Sequence, residues 1–177
     1  MAVHGVGMPL HPTPDFDIVS FLADCREAAT AASPAEAVAE LVERAVARPD
    51  ALAEAAAGVF VADDVLTAYT SEARPGSATA PHSHEVWAVL GCYAGREESV
   101  LYRRTQTGLV ETEHRVLELG QVQVLTSDAV HAVFNRWSRP NGILHLYGGH
   151  FATTSKSVWD PVSGMRSSYT VREPLAP

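Results

Sequence analysis

The chain is short of cysteine, of positive charge and of long apolar runs, and each shortage closes off a class of protein. Its two cysteines, Cys25 and Cys92, give no framework of bridges, and both are expected to be reduced, buried thiols of a cytoplasmic protein. Lysine and arginine total 13 against 21 acidic residues, a formal net charge of −8. So acidic a chain lacks the basic surface on which nucleic-acid binding rests. No apolar stretch reaches the roughly 20 residues that span a bilayer, and residues 1–14 lack the basic-then-apolar layout of a signal peptide. Neither nucleic acid nor membrane is therefore an expected partner; oligomeric state is not legible in the pattern. No repeat or low-complexity linker divides the chain, and 46% hydrophobic residues in 177 suit one compact domain.

The pattern changes once along the chain. Residues 15–57 are rich in alanine, leucine and glutamate, and Ile18, Phe21, Leu22 and Cys25 recur at helical spacing behind Asp15. Ser33 with Glu36 three residues on reads as a capping box, with Pro34 at the first helical position. That second helix should run through Ala37, Leu41, Val42 and Ala45 and stop near Pro49, with a third over about 51–57 ending at Gly58. These helices carry no polar motif and read as a packing subdomain. From Val59 the chain breaks into short β-branched and aromatic runs near 59–62, 65–71, 85–93, 98–105, 109–117, 121–125, 129–135 and 142–148. Gly95, Gly108, Gly120, Ser127-Asp128 and Pro140-Asn141-Gly142 separate them. Eight antiparallel strands over 59–150 behind a helical preface imply an all-β core closed as a jelly-roll or double-stranded β-helix barrel, able to hold a ligand at its mouth. Residues 151–177 read as a loop and a strand near 168–171 that covers an edge.

Chemistry concentrates in the histidines. Gly76 is followed after five residues by His82-Ser83-His84 and then by Gly95; Gly120 is followed after ten residues by His131 and then by Asn135. Residues i and i+2 of a strand share a face, so His82 and His84 can reach one ion, and His131 on a neighbouring strand can complete a facial set. These spacings resemble the cupin superfamily, whose motifs read Gly-x5-His-x-His-x3/4-Glu-x6-Gly and Gly-x5-Pro-x-Gly-x2-His-x3-Asn. The resemblance places the acidic ligand at Ala88, so the carboxylate is missing, and Thr126 and Asp128 stand where the family has Pro and Gly. Three neutral imidazoles leave a divalent ion its full charge and open positions. Such sites accept zinc, copper, iron or nickel, and a zinc ion activating water is one chemistry they support. The cupin resemblance without the glutamate favours ferrous iron.

A narrower resemblance runs from Pro81 to Glu98, through Leu101-Tyr102-Arg103-Arg104, and to His145-Leu-Tyr-Gly-Gly149. Over roughly residues 60–170 the chain is similar to the bacterial thiol dioxygenases, the cysteine and 3-mercaptopropionate dioxygenase family. The resemblance implies an oxidoreductase in which His82, His84 and His131 hold Fe(2+) and a small thiol is oxidised with O2 to its sulfinate. It implies that Tyr147 is the active-site phenol and His145 its hydrogen-bond partner; two apart on one strand, they share a face. The serine of the family's Ser-x-His-x-Tyr network falls at Ile143, so the polar relay is expected to be truncated. The cysteine of the animal enzymes' thioether crosslink falls near Ala88, with Cys92 four residues on, and no crosslink is expected. Glu85 is expected to face solvent by alternation, unless a bulge turns it inward as a fourth ligand. The carboxylate anchor of the 3-mercaptopropionate branch falls at Lys156. Arg103 or Arg104, only one of which can face the pocket, and Arg166 are further candidates, and Trp87 joins Lys156 and Arg104 in the substrate-binding set. The alternatives are a three-histidine cupin oxygenase or isomerase with a non-thiol substrate, which Ile143 and Lys156 would suit, and, less favoured, a non-enzymatic ligand-binding cupin.

Overall fold

The computed structural model describes residues 16–170, within which three helices precede eleven strands. Residues 1–14, Asp15 and Val171 lie outside the described residues. Helix α1 (Ile18–Ala28) starts at Asp17, whose carboxylate accepts from the backbone N–H groups of Val19 and Ser20, each at 3.1 Å. Helix α2 (Pro34–Val46) starts where Pro34 predicts, but no capping box forms: the Ser33 side chain makes no capping bond. Ser33 is exposed, where its hydroxyl needs no protein partner, and the fixed φ of Pro34 already sets the first turn. Pro49 opens α3 (Pro49–Ala55) by the same device, two residues ahead of the expected start.

Strands β1 (Phe60–Ala62), β2 (Leu66–Ala73), β4 (Ala88–Ala94), β7 (Val122–Leu125) and β9 (Asn141–Gly148) form one sheet in the order β1-β2-β9-β4-β7. Strands β3 (His82–Ser83), β5 (Arg96–Thr105), β6 (Gly108–Glu118), β8 (Val130–Phe134), β10 (Lys156–Trp159) and β11 (Arg166–Tyr169) form the other, in the order β11-β10-β3-β8-β5-β6. Every pairing of strands is antiparallel. Strand β10 lies in the stretch expected to be a loop, because four residues after Thr-Thr-Ser carry too little alternation to be read. Strand β11 begins two residues before the expected 168.

Period-two alternation divides the first sheet between two cores. Leu144, Leu146, Ala68 and Val89 face outward and pack with Phe21, Cys25, Val38, Val42, Val46 and Leu52 of the helices. Ile143, Tyr147, Ala88, Leu90 and Cys92 face inward and pack with Leu117 and Leu125. Helix α2 lies directly on β4 at Gly91, where an added Cβ would stand 2.5 Å from Val42 Cγ1 and 2.8 Å from Val46 Cγ1. The two sheets thus enclose a core of their own, while the helices cover one outer face. This is the double-stranded β-helix barrel that the sequence predicts, with the N-terminal helices packed on its outside. Cys25 and Cys92 are free and buried, and burial pushes their thiols up to about 12 and about 11. Among the described residues no helix is long and apolar enough to cross a membrane.

Candidate metal centre

Register brings the histidines together. His82 on β3 is the Cα partner of His131 on β8 on one side and of Val158 on β10 on the other. Antiparallel partners share a face, so both imidazoles project into the barrel. His84 follows two residues after His82, at the point where β3 has ended. The ring centroids lie 4.6 to 5.2 Å apart, and the potential ligand atoms all fall within 4.8 Å of one another. Nε2 of His84 is 3.2 Å from Nε2 of His131. His82 donates from Nδ1 to the Ala80 carbonyl at 2.9 Å, which fixes its tautomer and leaves Nε2 free as a ligand.

Burial lowers the pKa of His82, and that of His84 and His131 well below the usual imidazole value, with repulsion from neighbouring rings adding to the effect. All three are therefore neutral, the form that ligates. Buried Ala88 stands opposite Tyr147 in the register and offers only a methyl where the motif would have a carboxylate. Among the described residues these three histidines are the one group able to hold a metal ion. Three converging neutral nitrogen donors fit a divalent cation and leave it open positions.

Glu85 belongs to the opposite face. Its backbone takes φ 60°, so alternation stops there. Its carboxylate accepts from Ser83 Oγ at 2.6 Å, Ser157 Oγ at 3.2 Å and Arg104 at 3.1 Å. It is neither freely solvated nor turned inward as a fourth ligand; hydroxyls and Arg104 hold it below the usual carboxylate range.

Beside the histidines runs a hydrogen-bonded chain drawn from β2 and β9. His145 Nδ1 lies 3.1 Å from the Tyr147 hydroxyl, and that hydroxyl lies 3.2 Å from Tyr69 Oη. Tyr69 stacks on His145 at 4.6 Å, and Tyr147 meets the His84 ring edge-on at 4.9 Å. Burial depresses the His145 imidazole to about 3 and raises the Tyr147 phenol well above its ordinary value, so both are neutral. The expected truncation at Ile143 does not occur. Ser71, the Cα partner of Ile143 on β2, places Oγ 2.7 Å from His145 Nε2. Ser71 and Tyr69 escape a sequence reading because 74 and 78 residues separate them from the groups they touch, and only the pairing of β2 with β9 joins them. Phe151 was unforeseen as well; it stacks on Tyr147 at 4.0 Å and meets His84 at 5.7 Å.

The candidate substrate residues part company. Lys156, the only lysine of the chain, is buried rather than a solvated surface charge. It lies two residues from Val158 on β10 and so on the same face as His82. Its ammonium donates to the Phe151 and Thr154 carbonyls and sits 3.9 Å from the Phe151 ring centroid. Burial lowers it to about 8. Among the described residues it has no carboxylate partner. Arg104 instead pairs with Glu85 on the outer face and lies 5.3 Å from the Trp159 ring centroid. Arg166 donates to Ser157 Oγ on that same face, and Arg103 is exposed. Trp87 is corrected too: Ala88 faces inward, so Trp87 faces the helices, packing against their core and over Gly148, where a Cβ would meet its Nε1 at 2.3 Å.

No family model matches the sequence. Among solved structures the chain is similar to the DMSP lyase DddQ from Ruegeria pomeroyi, with 23% identity over 54% of this chain and 44% of that one and a TM-score of 0.44. It is similar to the oxalate decarboxylase of Lactobacillus farciminis in its formate complex, with 15% identity over 61% and 27% and a TM-score of 0.43. A double-stranded β-helix protein from Klebsiella pneumoniae gives 15% identity over 55% and 73%, with a TM-score of 0.43. The chain spans less than half the length of the first two. Strand order and register, rather than these partial overlaps, define the barrel.

Proposed function

We propose that the protein is a non-haem iron-dependent thiol dioxygenase that oxidises a small carboxylate thiol to its sulfinate. The observation that carries this reading is the adjacency of two sets of groups in one barrel: three neutral imidazoles converging from β3, its exit and β8, and a protonated Tyr147 against the edge of His84. The reaction is balanced as R–SH plus O2 giving R–SO2H, so it calls for no external reductant and no second substrate. A ferrous ion held by His82, His84 and His131 would supply positive charge and a redox couple at this position.

The chain's own residues account for the rest. Tyr147 presents a hydroxyl that can donate to developing negative charge in a water-poor site. His145 orients that hydroxyl at 3.1 Å. Phe151 and Leu101 contribute apolar surface that excludes water. Lys156 supports a carboxylate substrate, because a buried cation met only by neutral carbonyls is stabilised by an anion. The Ile143 argument for a non-thiol substrate loses force, since Ser71 supplies the hydroxyl that position lacks.

Metal analysis followed by oxygen uptake on the iron-loaded protein tests the reading. One O2 consumed per thiol, with a product heavier by two oxygen atoms, is expected for cysteine or 3-mercaptopropionate. Zinc at full occupancy with no iron-dependent uptake would sink it.

A further inference from the structure

Of the three histidines at the candidate metal centre, His84 is the one the sheet does least to hold. His82 and His131 lie in paired strands, and the Ala80 carbonyl orients the His82 ring. His84 follows the last residue of β3, and among the described residues its ring makes no hydrogen bond except the 3.2 Å contact with His131. The next residue, Glu85, takes φ 60° and is the one non-glycine residue at positive φ among those described. That region brings the Cβ of an L residue close to the following carbonyl, so the surrounding bonds have to hold it there.

Those bonds meet at one oxygen. Oε1 of Glu85 accepts from Ser83 Oγ at 2.6 Å, from Arg104 Nη2 at 3.1 Å and from Ser157 Oγ at 3.2 Å. Ser157 Oγ in turn accepts from Arg166 at 2.7 and 2.9 Å, and the Ser157 backbone N–H donates to Ser83 Oγ at 3.3 Å. Ser83 and Glu85 are the two chain neighbours of His84. Their side chains are joined to each other on the outer face and tied to β10 and β5, while the ring between them turns inward to His82, His131 and Tyr147. The bracket fixes the backbone on both sides of an imidazole that lacks the usual orienting bond at its other nitrogen.

We propose that Glu85 is a positioning residue for the metal centre: its carboxylate, held by Ser83, Ser157 and Arg104, keeps the chain in the turn that aims His84 at His82 and His131. It acts through the backbone of its neighbour and does not itself face the centre. The inference rests on the three-histidine centre and not on the thiol chemistry, so cobalt(II) added to metal-free protein is a sufficient probe.

Two variants separate the bracket from its backbone and from its charge. Glu85→Gly relieves the φ but removes the bracket, whereas Glu85→Gln keeps an oxygen that can accept the same three bonds. In Glu85→Gly the Kd for cobalt(II), read by chelator competition, should rise about tenfold to a hundredfold, the usual loss when the support behind a ligand is removed. The ligand-field spectrum should change with it, because the donor set changes. Glu85→Gln should bind nearly as tightly as wild type. Wild-type affinity in folded Glu85→Gly, whatever its melting temperature, overturns the proposal, and equal losses in the two variants assign the effect to charge and overturn it as well. If Glu85→Gly does not fold, Ser157→Ala decides, since it removes one donor from the same oxygen and should weaken cobalt binding, and unchanged binding there overturns the proposal. A wild-type protein that binds no cobalt(II) overturns the metal centre and this role together. Absence of thiol turnover in iron-loaded protein overturns only the functional reading.

Discussion

Nε2 of His84 and Nε2 of His131 stand 3.2 Å apart inside the barrel. At that separation two imidazole nitrogens share either a proton or an ion. A divalent ion at about 2.0–2.1 Å from each nitrogen spans such a gap, and His82 closes the third side of the same space. The purified protein is therefore expected to retain a divalent transition metal, and His82→Ala, His84→Ala and His131→Ala each to lose it. The fold should survive, because both apolar cores are built without these three side chains. Inductively coupled plasma analysis beside circular dichroism checks both halves; wild-type metal content in any one variant would remove that histidine from the ligand set.

Tyr147→Phe should keep the metal and lower turnover by roughly tenfold to a thousandfold, the range for losing one positioned donor. Its ring contacts with Phe151 and His84 remain, but His145 and Tyr69 lose their shared buried partner, so the melting temperature should fall by a few degrees. Undiminished oxygen uptake at saturating thiol would leave Tyr147 a packing residue.

The parts of this centre legible in the sequence are those set by local spacing. His82 and His84 are two residues apart, and His131 sits at a fixed distance from a turn glycine, so a linear pattern holds all three. The barrel was legible for the same reason, through alternation and turn residues. Ser71, Tyr69 and Phe151 belong to the centre through strand pairing and loop path, which no linear spacing encodes. Trp87 is an odd number of residues from His82, His84 and Ala88, so alternation turns it outward to the helices, and its place beside the histidines in sequence does not put it in their pocket. Lys156 was legible as a cation near the site, but its full burial was not, since most lysines are solvated and only the path of the loop after β9 encloses this one.

Glu97 makes the barrel's stability depend on pH. It faces inward on β5, opposite Leu117, is buried without a partner among the described residues, and burial raises its carboxyl from 4.5 to about 7. The native state thus holds a proton that the unfolded chain releases, and stability falls as pH rises from about 4.5 to about 7, then levels off. The shift corresponds to a loss of up to about 3 kcal/mol. Glu97→Gln should flatten this slope, so urea midpoints at pH 5 and pH 8 should converge relative to wild type. An unchanged gap would assign the slope to other groups.

Gly91→Ala tests the seat of the helical subdomain. The new methyl would meet Val42 Cγ1 at 2.5 Å and Val46 Cγ1 at 2.8 Å, forcing α2 off β4 at an expected cost of about 1–3 kcal/mol. Val42→Ala in the same chain should recover part of the loss. Metal content should hold, since the contact lies on the outer face of the sheet. A neutral effect of Gly91→Ala in denaturant titration would mean that α2 shifts freely.

Lys156 decides between a substrate anchor and a staple for the loop after β9. Its ammonium holds two backbone carbonyls, of Phe151 and Thr154, which is enough for a staple. It also lacks an anionic partner among the described residues and shares the inner face with His82, which is what a carboxylate ligand calls for. Lys156→Met keeps most of the stem and removes the charge. For an anchor, the ratio of kcat/KM for 3-mercaptopropionate to that for uncharged 2-mercaptoethanol should fall about tenfold to a hundredfold, the worth of a charge-assisted hydrogen bond. The wild-type ratio should fall as pH passes about 8, because the lysine loses its proton there while thiol ionisation acts on both substrates alike. Lys156→Arg should keep the charge at that pH and sharpen chain-length preference through its paired donors. A staple behaves otherwise: Lys156→Met would lower the melting temperature and both catalytic efficiencies together, and the ratio would stay where it was.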